Sequence, residues 1–274
     1  MPPTKRKAPP PASSSASSPT SPTPTLAQLL AALSYYPTSL TLRANASNSS
    51  KDLVELDHWF RVELRQKLGI FDSANDDVGA TKMKTKRSAS KLGLLDSDDL
   101  TKLMRWKLAR GKFRPRLVEL ASSNPTPLIH SVLTPLQTPS TPSLPLLSSL
   151  STLRGIGPAT SSALLSLYRP QTDPFLSDEA WTVFFPSVKP EYTEKAYKRF
   201  CEVFRERLET EAWENAEELE MACWSWAVTR KYGKREEDGK NSKGKESDSI
   251  LAEARKSKEE EEGGASKSAR RKMK

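Results

Sequence analysis

Apolar residues recur every three or four positions across residues 25–232, and this periodicity is the strongest constraint on the fold. Such spacing places the apolar side chains on one face of an α-helix. Residues 51–68, 191–209 and 213–231 show it most clearly, and we find no convincing alternation of apolar and polar residues that would indicate a strand. The sequence therefore predicts an all-α fold.

Particular residues predict where some helices begin and end. A first helix starts near Leu26 and ends near Pro37, because proline disrupts a helix interior. Acidic residues at positions 96, 98 and 99 come just before an apolar run that begins at Leu100, and acidic groups are favoured at a helix N-terminus. Gly111 and Pro115 are expected to end that helix.

The two ends of the chain differ in composition from the centre. Residues 1–24 are mostly Pro, Ser, Thr and Ala, and residues 233–274 are mostly Lys, Glu, Ser and Gly, so neither can bury enough apolar surface to form a core. We predict two disordered basic tails around one helical domain at residues 25–232. Within that domain, the polar segment 71–92 is predicted to be an exposed loop.

Charge and short basic clusters bear on the location of the protein. The formal net charge is +9, and each tail carries +3 of it, so the helical domain has only a modest positive excess. The clusters KRK at 5–7 and RRK at 270–272 are compatible with nuclear import signals, or with plain solvated charge. Their presence at both ends favours a nuclear localisation.

Several classes of site and partner are not indicated. Cys201 and Cys223 are too few for an iron–sulfur cluster, and His58 and His130 are isolated from other ligand residues, so we predict no metal and no cofactor. No stretch has the length and apolarity of a membrane span, so we expect no membrane partner.

Residues 145–168 are predicted to form two helices joined by a glycine turn. Gly155 and Gly157 can adopt the positive φ of a tight turn, and Pro158 suits the first position of a helix. The N-terminus of the second helix would then offer N–H groups and the positive end of its dipole to a DNA phosphate. A plain turn between two helices is the alternative interpretation. The predicted phosphate-binding residues of this turn are Gly155, Ile156, Gly157, Ala159 and Thr160.

A basic cluster lies earlier in the chain. Residues 101–116 contain seven Lys and Arg residues and no acidic residue. Such a cluster can follow a duplex backbone, or it can be a solvated helix face. A loop conforms to phosphates more easily than a helix, so we predict DNA-phosphate contacts near the helix break, by Arg110, Lys112, Arg114 and Arg116.

The glycine turn resembles that of the helix–hairpin–helix (HhH-GPD) superfamily of DNA glycosylases. Residues 153–159 match its hairpin, residues 169–174 lie where the family has a Pro-containing loop, and Asp178, 21 residues after Gly157, falls where it has a catalytic Asp. The resemblance covers residues 145–185. It implies an all-α domain of two lobes, with the substrate base turned out into the cleft between them.

The resemblance also assigns a role to Asp178. A monofunctional glycosylase uses such a carboxylate to stabilise a cationic sugar and to activate water. Asp178 could also, or instead, cap the helix that follows it. Bifunctional members have a Schiff-base lysine where this chain has Ala159, so strand cleavage through that position is not expected. Glu179 departs from the Thr or Val more usual in the family, which changes the surroundings of the carboxylate.

The sequence thus favours a nuclear protein that binds double-stranded DNA and resembles a monofunctional base-excision glycosylase without lyase activity. Enzymatic activity itself stays open. One alternative is a non-catalytic helix–hairpin–helix module for DNA binding or scaffolding. Another is a helical interaction protein in which the hairpin is only a turn. Neither the damaged base nor any protein partner can be named from the sequence.

Overall fold

A computed structural model describes residues 23–70, 92–138 and 140–233. Within these ranges every regular element is helical and no strand occurs, which confirms the predicted all-α class. The described residues include little of the two predicted tails and of the predicted loop. They include neither of the basic clusters at 5–7 and 270–272. The α-helices are α1 (Leu26–Ser34), α2 (Tyr36–Asn45), α3 (Leu53–His58), α4 (Leu64–Leu68), α5 (Ser97–Arg110), α6 (Pro115–Ser122), α7 (Thr126–Leu133), α8 (Ser143–Leu150), α9 (Pro158–Tyr168), α10 (Asp178–Phe184), α11 (Glu194–Thr210) and α12 (Ala216–Val228).

Local capping chemistry explains where the early helices begin. Asp96 caps α5: its carboxylate accepts the Asp99 N–H at 2.8 Å, and the Asp99 carboxylate accepts the Asp96 N–H at 3.2 Å. The start predicted from these acidic residues is confirmed. Helix α1 ends at Ser34, shortly before the predicted boundary near Pro37, but Pro37 does not end it and instead stands in the first turn of α2. Proline is tolerated there because an N–H in the first turn has no intrahelical partner.

The apolar core forms one cluster that runs through the described helices. The three tryptophans Trp106, Trp181 and Trp224 are each 2% exposed or less. Helix α12 packs against α1, α2, α10 and α11, and its Trp224 lies 5.5 Å from the Tyr36 ring. The Trp106 ring stacks on Phe60 with centroids 3.8 Å apart. These tryptophans therefore hold the helices together.

A buried ion pair crosses this core at the end of α5. The Arg110 guanidinium donates to both carboxylate oxygens of Glu220 in α12, at 2.8 and 2.9 Å. The hydroxyl of Ser177 donates to the same carboxylate at 2.8 Å. Arg43 in α2 donates to the backbone carbonyls of Arg110 at 3.1 Å and Gly111 at 2.5 Å. Glu220 thus links the last turn of α5 to the residue that precedes α10.

A second buried carboxylate supports the same region. Asp57 accepts hydrogen bonds from Trp106 Nε1 at 2.8 Å, the Tyr36 hydroxyl at 2.9 Å and Arg61 Nε at 3.0 Å. Burial alone would raise the pKa of Asp57, but Arg61, Arg110 and these hydrogen bonds hold it below its ordinary value. The end of α5 is therefore fixed by charged groups from α2, α3 and α12.

Candidate functional site

The turn between α8 and α9 is built against the end of α6. Gly155 has φ +76°, and a Cβ at this position would lie 2.7 Å from Leu120 Cβ and 3.2 Å from the Ala121 nitrogen. The buried side chain of Asn124 accepts the Arg154 N–H at 2.8 Å and donates to the Arg154 carbonyl at 2.9 Å. Gly155 is therefore needed both for its backbone conformation and for close approach.

The N-terminus of α9 is open in front of Gly157. A Cβ built on Gly157 would have no heavy atom within 4 Å. The N–H groups of Gly157 and Ala159 have no acceptor among the described residues, whereas the Thr160 N–H donates to the Gly157 carbonyl at 2.8 Å. Ile156 does not reach this opening: its side chain is buried, and its N–H donates to the Leu153 carbonyl at 3.1 Å. The N–H groups available to an anion here are thus those of Gly157 and Ala159, together with that of Gly155, which also lines the cavity and donates to no described residue.

The four predicted basic contacts are separated by the structure. Lys112 and Arg114 are exposed and line one cavity together with the N-terminus of α9. Arg116 is exposed on α6 and does not line that cavity. The predicted phosphate contact by Arg110 is wrong, because its side chain is 1% exposed and its charge is paired with Glu220 in the core. A phosphate cannot replace that partner without breaking the buried ion pair.

The loop between α9 and α10 is tied down at both ends. At its start, the Arg169 guanidinium donates to the carbonyls of Thr141 at 2.6 Å and Thr138 at 2.8 Å. At its end, the Leu176 N–H donates to the Ser162 hydroxyl of α9 at 2.9 Å. The first turn of α10 is therefore fixed in position relative to α9.

Asp178 is the first residue of α10, and its carboxylate does not cap that helix. Ser177 caps the helix by accepting the Ala180 N–H at 3.2 Å, so the interpretation of Asp178 as the N-cap is wrong. The Tyr192 hydroxyl donates to Asp178 Oδ1 at 2.5 Å, and Asp178 Oδ2 bonds no described residue. Burial, and then the hydrogen bond to Asp178, raises the pKa of Tyr192, which keeps the phenol protonated as a donor.

Two further ionisable side chains accompany Asp178. Burial raises the pKa of the partly buried Glu179 to about 7, and the nearby Asp178 charge adds to the shift. Burial lowers the pKa of the partly buried Lys107 of α5, an effect that the attraction of Asp178 opposes. Lys107 makes no hydrogen bond or ion pair with any described residue, and the Glu179 carboxyl group is hydrogen-bonded only to its own backbone N–H. The ammonium and the two carboxyl groups are therefore available to a ligand.

A single cavity of about 210 Å³ brings these groups together. It is smaller than the roughly 300–1,000 Å³ typical of sites for drug-sized ligands, so it suits a small group such as one base or one sugar. Sequence reasoning missed Tyr192, which carries no motif, and Lys107, which was one of several cations whose helical face was not assigned. The cavity is lined by Lys107, Arg110, Gly111, Lys112, Arg114, Leu117, Gly155, Gly157, Pro158, Ala159, Thr160, Phe175, Leu176, Ser177, Asp178, Glu179 and Tyr192.

Comparison of the chain with protein-family models, with curated proteins and with solved structures finds no match. Of the helices in the described ranges, none is both long and apolar enough to cross a membrane. In the same ranges, no three or more His, Cys, Asp and Glu side chains are grouped so that they could hold a metal ion.

Proposed function

We propose that this protein binds double-stranded DNA through the turn between α8 and α9 and excises a base with Asp178 as the reacting carboxylate. One observation carries the proposal: Asp178, the open N-terminus of α9 and the cations Lys112 and Arg114 line the same cavity. The fold class and the sequence resemblance to helix–hairpin–helix glycosylases agree with it. Action on DNA would place the protein in the nucleus.

The mouth of the cavity has the chemistry of a phosphate site. The N–H groups of Gly157 and Ala159 lie at the positive end of the α9 dipole, where an anion is stabilised. The exposed side chains of Lys112 and Arg114 add positive charge beside it. Contacts of this kind hold the sugar–phosphate backbone without reading base sequence.

The interior of the cavity has the chemistry for base release. An enzyme that acts on a base in duplex DNA must first extrude the nucleotide into a pocket. Asp178 is partly buried, and its Oδ2 is free to stabilise a cationic sugar or to accept a proton from water. The Tyr192 hydroxyl orients that carboxylate through Oδ1. Ala159 supplies no amine, so the reaction proposed for Asp178 is hydrolysis.

The phosphate contacts are tested by the salt dependence of duplex binding, measured by fluorescence anisotropy. Replacing both Lys112 and Arg114 by Ala should weaken binding and reduce the salt slope by about 2, roughly 1 for each lost contact. Lys189→Ala with Lys198→Ala is the matched control, because both lysines are exposed and lie outside the cavity. Gly157→Leu places a side chain in the open space before α9 and should also weaken binding. Unchanged affinity in both test variants would overturn the DNA-binding proposal.

The catalytic role is tested separately with duplexes that carry alkylated, oxidised or deaminated bases. Release of a base by the native protein, abolished in Asp178→Asn, is the expected result, because Asn keeps the shape of the side chain but carries no negative charge. If duplex binding persists but no duplex gives Asp178-dependent release, the enzymatic proposal fails. The protein would then be a non-catalytic DNA-binding module.

A further inference from the structure

A second pocket, of about 320 Å³, lies between α10 and the helical turn Thr229–Gly233 that follows α12, and we call it the α10 pocket. Its charged lining residues are Arg230 and Lys231, and no acidic residue of the described chain lines it. Both side chains are exposed, and neither forms an ion pair with a described residue. Their positive charges are therefore available to an anion. The other lining residues are Pro24, Thr182, Val183, Pro186, Trp226 and Ala227.

Aromatic rings lie against both cations of the α10 pocket. The Arg230 guanidinium is 5.1 Å from the Trp226 ring centroid, and the Lys231 ammonium is 5.1 Å from that of Tyr232. A guanidinium placed over an aromatic face still presents N–H donors to a phosphate. Because Arg230 covers one face of Trp226, that face is not open to a stacked base. The pocket therefore suits a backbone phosphate better than a base.

Helix α10 connects this pocket to the cavity that contains Asp178. Glu179 lines the cavity, and Thr182 lines the α10 pocket and donates its hydroxyl to the Glu179 carbonyl at 2.8 Å. Burial raises the pKa of Glu179 and the positive charge of Lys231 opposes that rise, so Lys231 lies near the cavity as well. One helical turn rises about 5.4 Å, and successive phosphates of a strand advance about 3.4 Å along the duplex axis. The step along α10 thus matches one or two nucleotides.

We propose that Arg230 and Lys231 form a second phosphate-binding site, which holds the same DNA molecule as Lys112 and Arg114. The inference rests on the proposed function, because it needs a duplex bound at the cavity. Charge selects this occupant: duplex DNA carries one negative charge per about 1.7 Å of its axis, and the two cations face it without a competing carboxylate in the pocket. The DNA backbone would then be held at two places beside the nucleotide that enters the cavity.

The salt dependence of duplex binding by the full-length protein tests the second site. Arg230→Gln with Lys231→Gln removes both charges but keeps side chains long enough to cover Trp226. We expect weaker binding and a salt slope reduced by about 2, roughly 1 for each lost contact. Lys198→Gln with Arg205→Gln is the matched control, because both residues are exposed on α11 and line neither the cavity nor the α10 pocket. The control should bind like native protein.

The double variant Lys112→Ala with Arg114→Ala separates the possible failures. If it loses affinity while the Arg230 and Lys231 variant keeps the native slope, the inference is overturned and the proposed DNA binding stands. Equal losses in the matched control also overturn the inference, because net charge alone would then explain them. Absence of duplex binding in native protein overturns the proposed function and this inference together.

Two further measurements concern the occupant of the α10 pocket. A variant with all four substitutions, at Lys112, Arg114, Arg230 and Lys231, should lose about 4 in salt slope, because both sites hold one duplex. A loss no larger than that of either pair alone overturns the inference. Binding of a fluorescent polyglutamate peptide is measured in parallel. If Arg230→Gln with Lys231→Gln abolishes peptide binding but leaves duplex binding unchanged, the pocket binds acidic peptides and the inference is wrong.

Discussion

Glu179 is a partly buried carboxylic acid, and burial raises its pKa more than the positive charges of Arg110 and Lys231 lower it. Its pKa of about 7 means that the folded protein binds a proton there under conditions in which the unfolded chain has released it. For a group whose folded pKa is raised, the stabilising contribution is complete below the unfolded pKa. It is lost as the pH rises through the folded pKa. The window for Glu179 therefore runs from about pH 4.5 to pH 7.

We predict that Glu179→Gln removes this pH dependence. Relative to native protein, the variant should gain up to about 3 kcal/mol in the free energy of unfolding between pH 4.5 and pH 8, at ~1.4 kcal/mol per pKa unit. Urea denaturation at a series of pH values measures the difference. Glu191→Gln is the control, because Glu191 is exposed and lies outside the cavity. Parallel curves for native protein and Glu179→Gln would contradict the prediction.

The turn between α8 and α9 gives its two glycines different tasks. Gly155 has a positive φ and touches α6, whereas Gly157 has φ −113° and faces open space. A methyl group added at Gly155 would therefore be crowded, whereas one added at Gly157 would not. At Gly155 it clashes with Leu120, and at Gly157 it projects toward the mouth of the cavity.

Gly155→Ala should destabilise the protein by roughly 2–4 kcal/mol, from the left-handed backbone and the overpacking together. Gly157→Ala should cost less than about 1 kcal/mol, since only the cap position changes. Thermal or urea denaturation of the two variants side by side checks this contrast. Equal losses at both positions would mean that the turn does not pack on α6 as described.

At the level of elements, sequence reasoning worked where the signal is local. The apolar period and the capping pair Asp96 and Asp99 predicted α5 correctly, since both act within one helix. It failed at Asp178, because Asp and Ser177 are both good N-caps and only the packing of α10 decides between them. The sequence also could not predict that the Asn124 side chain binds the Arg154 backbone, since the two residues belong to different elements.

Over the whole molecule, the buried ion pair of Arg110 and Glu220 connects helices that are distant in sequence. Arg110 was predicted as a phosphate contact because it belongs to a basic run and lies at the helix break, and neither observation reveals which side chain turns inward. The answer depends on a carboxylate 110 residues away. The fold class was thus predictable from periodicity, whereas the membership of the site required the tertiary structure.

We predict that Glu220→Gln destabilises the protein by about 3–5 kcal/mol, because it removes the carboxylate that pairs with the buried Arg110 charge and leaves only the Asp57 carboxylate, 3.9 Å away. The double variant Arg110→Met with Glu220→Leu should lose much less, since apolar residues of similar volume can replace a buried ion pair. Urea denaturation measures both, and a loss below about 1 kcal/mol for Glu220→Gln would contradict the expectation.

Circular dichroism and tryptophan fluorescence should report one common transition, because a single core cluster runs through the described helices.

The attachment of both cavity walls to Glu220 also has a consequence for what can enter. Widening the gap between α5 and α10 would break either the Arg110–Glu220 ion pair or the Ser177–Glu220 hydrogen bond, so both walls of the cavity are held in place. Under the proposed function, a base must arrive already outside the double helix. The free-energy cost of unstacking is then set by the DNA and not by a change in the protein. Mismatched and damaged bases leave the stack most easily. Discrimination would then begin in the duplex, through how readily each base comes out, before any contact inside the protein is made.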